Sequence, residues 1–246
     1  MGERPVGHGL VDVADAGAFL ARLLRFDRAA LVRLRPGAAG RVELWGRLPW
    51  GVLVSRGVDG SGHADVTVPA AGLLAELESG GSALPALRDG DWRWPLPGPG
   101  ARTVETVPAA ELRRIATAAE AALRAATTEG VGGRAVGQRA LRDALLDHVA
   151  IVVAPSGAAP RRDVEPDAAV AGAAAGGTAR AVEVPQRLVQ AVTRMGFVGS
   201  ATATADASVH VRLIGRWVGL SAPYGSAWWL DAGPLTLMPR SSHPFG

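Results

Sequence analysis

The sequence predicts an α+β fold: two small lobes of mainly antiparallel strands with packed helices, arranged as a candidate internal duplication. Three observations lead there. Short alternating apolar stretches bounded by Gly- and Pro-rich turns recur in both halves, and stretches with helical apolar spacing interleave them. A Val-Pro step closes a strand and opens a helix at Val68-Pro69 and at Val184-Pro185, and a third Val-Pro opens a helix at Val107-Pro108. Proline suits that place because its fixed φ is already helical, and the N–H it lacks would have no partner in a first turn.

Along the chain, Asp15 is positioned to cap a helix reaching about Asp27, with Phe19, Leu20, Leu23 and Leu24 on one face. Leu31–Arg35 and Arg41–Leu48 read as strands around the turn 36–40, the second with Val42 and Leu44 on one face and Arg41, Glu43 and Trp45 on the other. Trp50–Ser55 and Ala64–Val68 continue the series around the turn 59–62, and Pro69 opens a helix carrying Leu73, Leu74 and Leu77. The order is α-β-β-β-β-α.

Residues 82–107 concentrate Pro, Gly and Trp and are expected to form an ordered connector anchored by Trp92 and Trp94. Helices are expected from Pro108 to about Thr127 and from about Arg134 to Asp147, the latter burying Leu141, Leu145 and Leu146. Ala150–Ala154 has the unbroken apolar character of a buried strand. The insert 155–178 is too poor in large apolar side chains to offset its ordering entropy, so it is read as a flexible loop. Arg180–Val184 is a strand, Pro185 opens a helix ended by Gly196, and strands are expected at 201–205, at 209–220 as one run through Gly215, and near 224–230. The division is therefore residues 1–81, a connector 82–107, and 108–240, two bodies joined by a hinge. Val66–Leu74 matches Val182–Val189 in kind, and Leu44-Trp45-Gly46-Arg47 echoes Leu213-Ile214-Gly215-Arg216.

Composition narrows function. Without cysteine there are no disulfides and no thiolate sites. The longest attractive apolar stretch, residues 217–230, holds Pro223 and falls short of the roughly 20 residues a bilayer needs, so a cytoplasmic protein with no membrane partner is expected. All 26 basic residues are arginine, with no lysine. The calculated pI of 10.7 follows from that lack of groups titrating below arginine, since the net charge is only +3. The absence of Lys and Asn and the scarcity of Ile point to a high-GC coding sequence. The charge excess falls in residues 180–246, where the six arginines are spread along the sequence. Nucleic-acid binding by that basic lobe is accordingly the alternative reading, not the first.

No catalytic set emerges. His63 and Asp65 share a strand face and could share a proton or a metal, but nothing with ligand spacing completes the site. His148 ends a helix, where the dipole favours an imidazolium; His210 is expected to face solvent, and His8 and His243 to lie in fraying termini. Ser156 lacks the helix a nucleophile elbow requires, and the glycine clusters lack a P-loop lysine. No catalytic residue, metal or cofactor is assigned. The densest functional signal is Val211–Trp229, with three tryptophans and the sole tyrosine, and Arg216, Trp217, Tyr224, Trp228 and Trp229 are the candidate binding residues for a protein or small ligand.

The combination of Asp65–Val68, Val104–Pro108, Val184-Pro185 with Arg187, Met195-Gly196-Phe197, and Gly215-Arg216-Trp217 with Tyr224-Gly225 resembles a family of two-domain actinobacterial proteins of unknown function. The resemblance covers most of the chain outside the insert and tail. It implies the two-lobe division and brings no catalytic residue with it.

Overall fold

The first helix, α1 (Val13–Phe26), starts two residues before the predicted cap. The capping carboxylate is that of Asp12, which accepts the Asp15 N–H at 3.0 Å. Asp15 lies within the first turn and pairs with Arg56. The computed structural model describes residues 7–62, 65–129, 137–154, 181–200 and 206–231. After α1 come β1 (Leu31–Pro36), β2 (Arg41–Arg47), β3 (Leu53–Asp59), β4 (Val66–Pro69) and α2 (Ala70–Glu78), in the predicted order. The second half holds β5 (Arg102–Pro108), α3 (Ala109–Glu129), α4 (Gln138–Asp147), β6 (Val149–Val153), β7 (Val182–Pro185), α5 (Gln186–Arg194), β8 (Ser208–Ile214), β9 (Trp217–Ala222) and β10 (Gly225–Leu230). All three Val-Pro steps are followed at once by a helix, and that at Val107-Pro108 also ends a strand, β5, in the last part of the segment 82–107 that was expected to be a connector. The sequence places expected at 134–136, 155–178 and 201–205, with His63, Ser156 and His243, lie outside the described residues.

Eight strands form one antiparallel sheet in the order β4-β1-β2-β3-β10-β9-β8-β5. The halves meet where β3 pairs with β10, Val54 opposite Ala227 and Leu53 opposite Trp228. This corrects the expectation of two bodies joined by a hinge, because the backbone ladder runs without a break from one half to the other.

Outward from that seam the order is 3-2-1-4 on one side and 10-9-8-5 on the other. The run α1-β1-β2-β3 is therefore repeated by α5-β8-β9-β10, and β4-α2 by β5-α3. The internal repeat is present, but its units differ from those suggested by the sequence, which set β4-α2 against β7-α5. The Leu44–Arg47 and Leu213–Arg216 echo falls on non-equivalent positions, β2 and the end of β8. Short Val-Pro motifs mark helix starts wherever they occur, so they do not identify which starts correspond.

Strand alternation gives the sheet two buried faces. Val32, Leu34, Val42, Leu44, Val54 and Leu220 meet α1, α2, α5 and the first half of α3 in the main core. The intervening Trp45, Leu53 and Trp228 face the other way and are covered by Trp92. Residues 82–101 thus form a strap over the outer face, tethered at the β4 edge by Arg88 N–H to Thr67 O (2.7 Å) and near β8 by Arg212 to Ala101 O. Trp92 and Trp94 anchor it as expected, with rings edge-to-face at 5.3 Å. Gly219 is needed under this layer, since a Cβ there would sit 2.4 Å from the Trp228 ring.

Both sheet edges are blunted. On β4, the Thr67 N–H donates to Asp89 and its C=O is taken by the strap. On β5, a bulge between Thr103 and Glu105 breaks the ladder, the Glu105 carboxylate accepts the Thr106 N–H, and Pro108 has no N–H to offer.

Three further expectations are corrected. Residues 209–220 are not one strand: Gly215, at φ 54°, and Arg216 turn the chain between β8 and β9, pairing Ile214 with Trp217. The apolar run 150–154 is not a fully buried strand; among the described residues it pairs only with β7, in a separate ribbon, and it leaves Val152 62% exposed. A continuous apolar run signals burial on both faces only where a layer covers both. His8 is buried rather than fraying. Its Nδ1 accepts the Leu10 N–H at 3.0 Å while Nε2 lies 3.1 Å from Gly81 O, and the Leu10–Gly60 bridge holds the segment against the β3–β4 turn. With Nδ1 accepting, Nε2 is the nitrogen that donates to the Gly81 carbonyl. Replacing His8 by alanine leaves the Leu10 N–H and the Gly81 carbonyl without partners and is expected to cost about 1–3 kcal/mol in urea unfolding.

Candidate functional site

The residues singled out by the sequence do not converge. Trp217 and Trp228 belong to the outer-face cluster under the strap, with Trp228 buried. Trp229, one residue on, packs against the helix-side core, and the Arg187 guanidinium lies 5.6 Å from its ring centroid. Tyr224 is exposed in the β9–β10 turn, where Arg56 donates to its carbonyl and stacks on its ring at 5.5 Å. Arg216 is exposed in the β8–β9 turn, at the other end of those strands. Strand alternation separates Trp228 from Trp229, and strand length separates Tyr224 from Arg216. Asp65, nominated with His63, is held by Arg33 at 2.6 Å and Arg35 at 3.2 Å. That bond to Asp65 raises the Arg33 guanidinium further above its already high range.

A groove of about 800 Å³ opens elsewhere, between the end of α1, the β2–β3 turn and helices α3, α4 and α5. Its apolar wall is Phe26, Trp50, Leu123, Leu145 and Leu146. Around that wall stand Arg25, Arg139, Arg142 and Arg194, all exposed, against the single lining carboxylate of Asp143.

Local structure explains each contribution. The last turn of α1 presents Arg25 and Phe26 before Asp27 ends the helix, its N–H bonded to Leu23 O. In the β2–β3 turn, Gly51 at φ 84° closes back on Leu48 O and leaves Trp50 projecting. The Trp50 ring meets Phe26 edge-to-face at 5.4 Å and 83°. Its backbone and ring are clamped to α5: the indole Nε1–H donates to Arg187 O at 3.3 Å, and Arg187 donates to Trp50 O at 2.9 Å. Arg187 also bonds Asp147 at the end of α4. Burial lowers this guanidinium below its ordinary range, and the charge of Asp143 opposes the shift. Arg187 thus ties α4, α5, the β2–β3 turn and Trp229 together behind the groove.

On α4, Arg139, Arg142, Asp143 and Leu146 follow at i, i+3, i+4 and i+7 and share one helix face. Arg139 is only loosely paired with Asp143 (3.9 Å), and Arg194 with Glu120 of α3 (3.6 Å). Arg25 and Arg142 have no carboxylate within 4.0 Å among the described residues. The arrangement suits an anion carrying apolar bulk. It includes no histidine and no serine, and no group of three or more His, Asp or Glu among the described residues is placed to hold a metal.

Sequence reasoning missed this cluster. It noted the C-terminal arginines as scattered, yet Arg194 joins Arg25 of α1 and Arg139 and Arg142 of α4, which come from two other segments of the chain. The available signal was the α4 spacing, which puts two arginines and Leu146 on one face. Only Leu146 of the three leucines expected to be buried there is fully so.

No curated protein matches the sequence. The DNA polymerase III subunit beta of Pseudomonas aeruginosa is similar in fold, with a TM-score of 0.52 at 14% identity over 94% of this chain and 68% of that one. The DNA polymerase sliding clamp of Caulobacter crescentus gives 0.49 at 14% identity over 95% and 69%. The expectation of a two-domain family of unknown function is met by two matches side by side. Residues 9–94 match the model described as Domain of unknown function (DUF8010). Residues 96–234, more than half of the chain, match Domain of unknown function (DUF8185), and the chain belongs to that family.

Proposed function

We propose that this is a non-catalytic, cytoplasmic binding protein whose two halves, divided by the 82–107 connector, jointly present the α1/α3/α4/α5 groove to an acidic segment of a protein partner. The observation that carries the reading is the set of four exposed arginines around a fixed aromatic wall, two of them without a carboxylate within 4.0 Å among the described residues. Arginine clusters recognise acidic motifs, and a prearranged apolar wall limits the entropy lost on binding. The likeness to a polymerase subunit supports a scaffold role by analogy of fold only. Of the residues nominated from sequence, Trp229 enters this site through Arg187. Arg216 and Tyr224, exposed at opposite ends of β9, would be separate points of contact, while Trp217 and Trp228 belong to the cluster under the strap.

A second reading, binding of single-stranded nucleic acid, is favoured by the same pairing of arginine with aromatic rings. Against it, the arginines ring one groove and are interleaved with Asp143 and Glu120, whereas a phosphate track needs a continuous basic stripe.

The test is an array of acidic peptides probed with the native chain and with Arg25→Glu/Arg142→Glu. Both side chains are exposed, so melting temperatures should agree closely. The native chain is expected to bind in a salt-sensitive manner and the variant about tenfold or more weakly. Equal binding by the two would refute the groove as the contact site.

A further inference from the structure

Resting on that reading, we infer that the groove selects a bipartite segment: one bulky apolar side chain seated against Phe26 and Trp50, flanked by carboxylates that reach Arg25 and Arg142. Charge alone would not require what the structure holds in place. Phe26 and Trp50 meet at 5.4 Å in an edge-to-face pair, half-buried with no side chain stacked over them among the described ring contacts. Trp50 is fixed from behind at both its indole N–H and its carbonyl, so its ring is already oriented before any ligand arrives. Leu146 is buried and Leu123 and Leu145 are half-buried, which extends the apolar wall along α4 and α3. Desolvated aromatic anchors in such pockets dominate interface energetics, whereas charges at the rim chiefly set selectivity and encounter rate.

The cation arrangement fixes what flanks the anchor. Arg25 comes from the end of α1 and Arg142 from the middle of α4, so the two guanidinium groups without a carboxylate partner among the described residues are carried by different helices that line the groove. Acidic residues on both sides of the anchor would satisfy them. A run of carboxylates without an anchor would leave the aromatic wall in water, and an apolar segment without carboxylates would leave two desolvated arginines unpaired.

The experiment is fluorescence anisotropy on the full chain with four probes. Two are a labelled acidic nonapeptide with a central phenylalanine and the same peptide with serine at the centre. The third is a labelled oligothymidine of about twelve nucleotides, and the fourth is a neutral peptide keeping the phenylalanine. The phenylalanine peptide should bind about tenfold or more tightly than the serine peptide, and Arg25→Glu/Arg142→Glu should weaken it about tenfold or more. Phe26→Leu, which keeps an apolar side chain but removes the ring pair, should shrink the preference for phenylalanine while the arginine dependence persists. Melting curves of each variant identify any failure to fold, and Arg25→Lys/Arg142→Lys supplies a charge-preserving control.

Equal affinity for the two acidic peptides, with arginine dependence intact, would overturn the anchor and leave the groove standing. Arginine-dependent binding of the oligothymidine above that of either peptide would overturn the protein-segment assignment in favour of nucleic acid. If no probe's affinity depends on Arg25 and Arg142, the groove itself is refuted, and with it the function proposed above.

Discussion

Phe19→Ala should destabilise the protein by about 3–5 kcal/mol, the usual range for truncating a buried phenylalanine. Phe19 is 1% exposed on α1 and stacks on Phe197, which follows α5, with planes 3° apart and centroids at 6.4 Å. One ring comes from each half, so the loss cannot be confined to either. In a chain of this size the midpoint should fall by roughly 6–20 °C. Phe197→Ala should behave similarly, and the double variant should lose less than the sum of the singles because the two rings share one contact. Urea unfolding followed by circular dichroism checks all three proteins. Additive losses would mean that the rings act independently.

The second large effect concerns the strap. Trp92 is 8% exposed, donates its indole N–H to Trp94 O at 2.8 Å, and lies beneath Arg33 at 6.0 Å. It is the strap residue that closes the outer-face cluster over Trp45, Leu53 and Trp228. Trp92→Ala should cost about 3–5 kcal/mol. Because Trp92 is the strap's buried side chain in that cluster, while its tethers lie towards the strap's two ends, part of that cost should appear as local opening. Trypsin should then cut after Arg88 and Arg93, both exposed on the strap, roughly tenfold faster or more. Unchanged cleavage with lowered global stability would show that the strap opens only when the whole sheet does.

The contrast between these two sites shows what was legible in the sequence. Alternation in Arg41–Arg47 placed Val42 and Leu44 opposite Trp45, and both faces are occupied as that pattern requires. The Val-Pro steps marked three helix starts because proline acts locally on φ and on a single donor. The strap's tryptophans were recognised as anchors because so many prolines and glycines rule out any regular element there. What failed was long-range. Nothing in β3 or β10 alone specifies that they pair, and two halves with similar local patterns read equally well as separate bodies.

The same limit hid the groove. Arg25, Trp50, Leu123, Arg142 and Arg194 are distant in sequence and polar or mixed in their local settings, so neither periodicity nor motif spacing links them. The aromatic density at 217–229 was visible for the opposite reason, being local. Folding distributes it between both faces of the sheet and the turns at its two ends. Trp228 and Trp229 illustrate the point: adjacent in sequence, they enter different clusters because β10 is extended.

If β3 and β10 join the halves into one sheet, the halves should unfold together. Differential scanning calorimetry on the full chain tests this most directly. A single transition is predicted, with calorimetric and van't Hoff enthalpies in agreement, moving as a whole when Phe19 is replaced. Two separated transitions, only one of them shifted by Phe19→Ala, would contradict a continuous sheet as the basis of the fold and of the groove assembled on it.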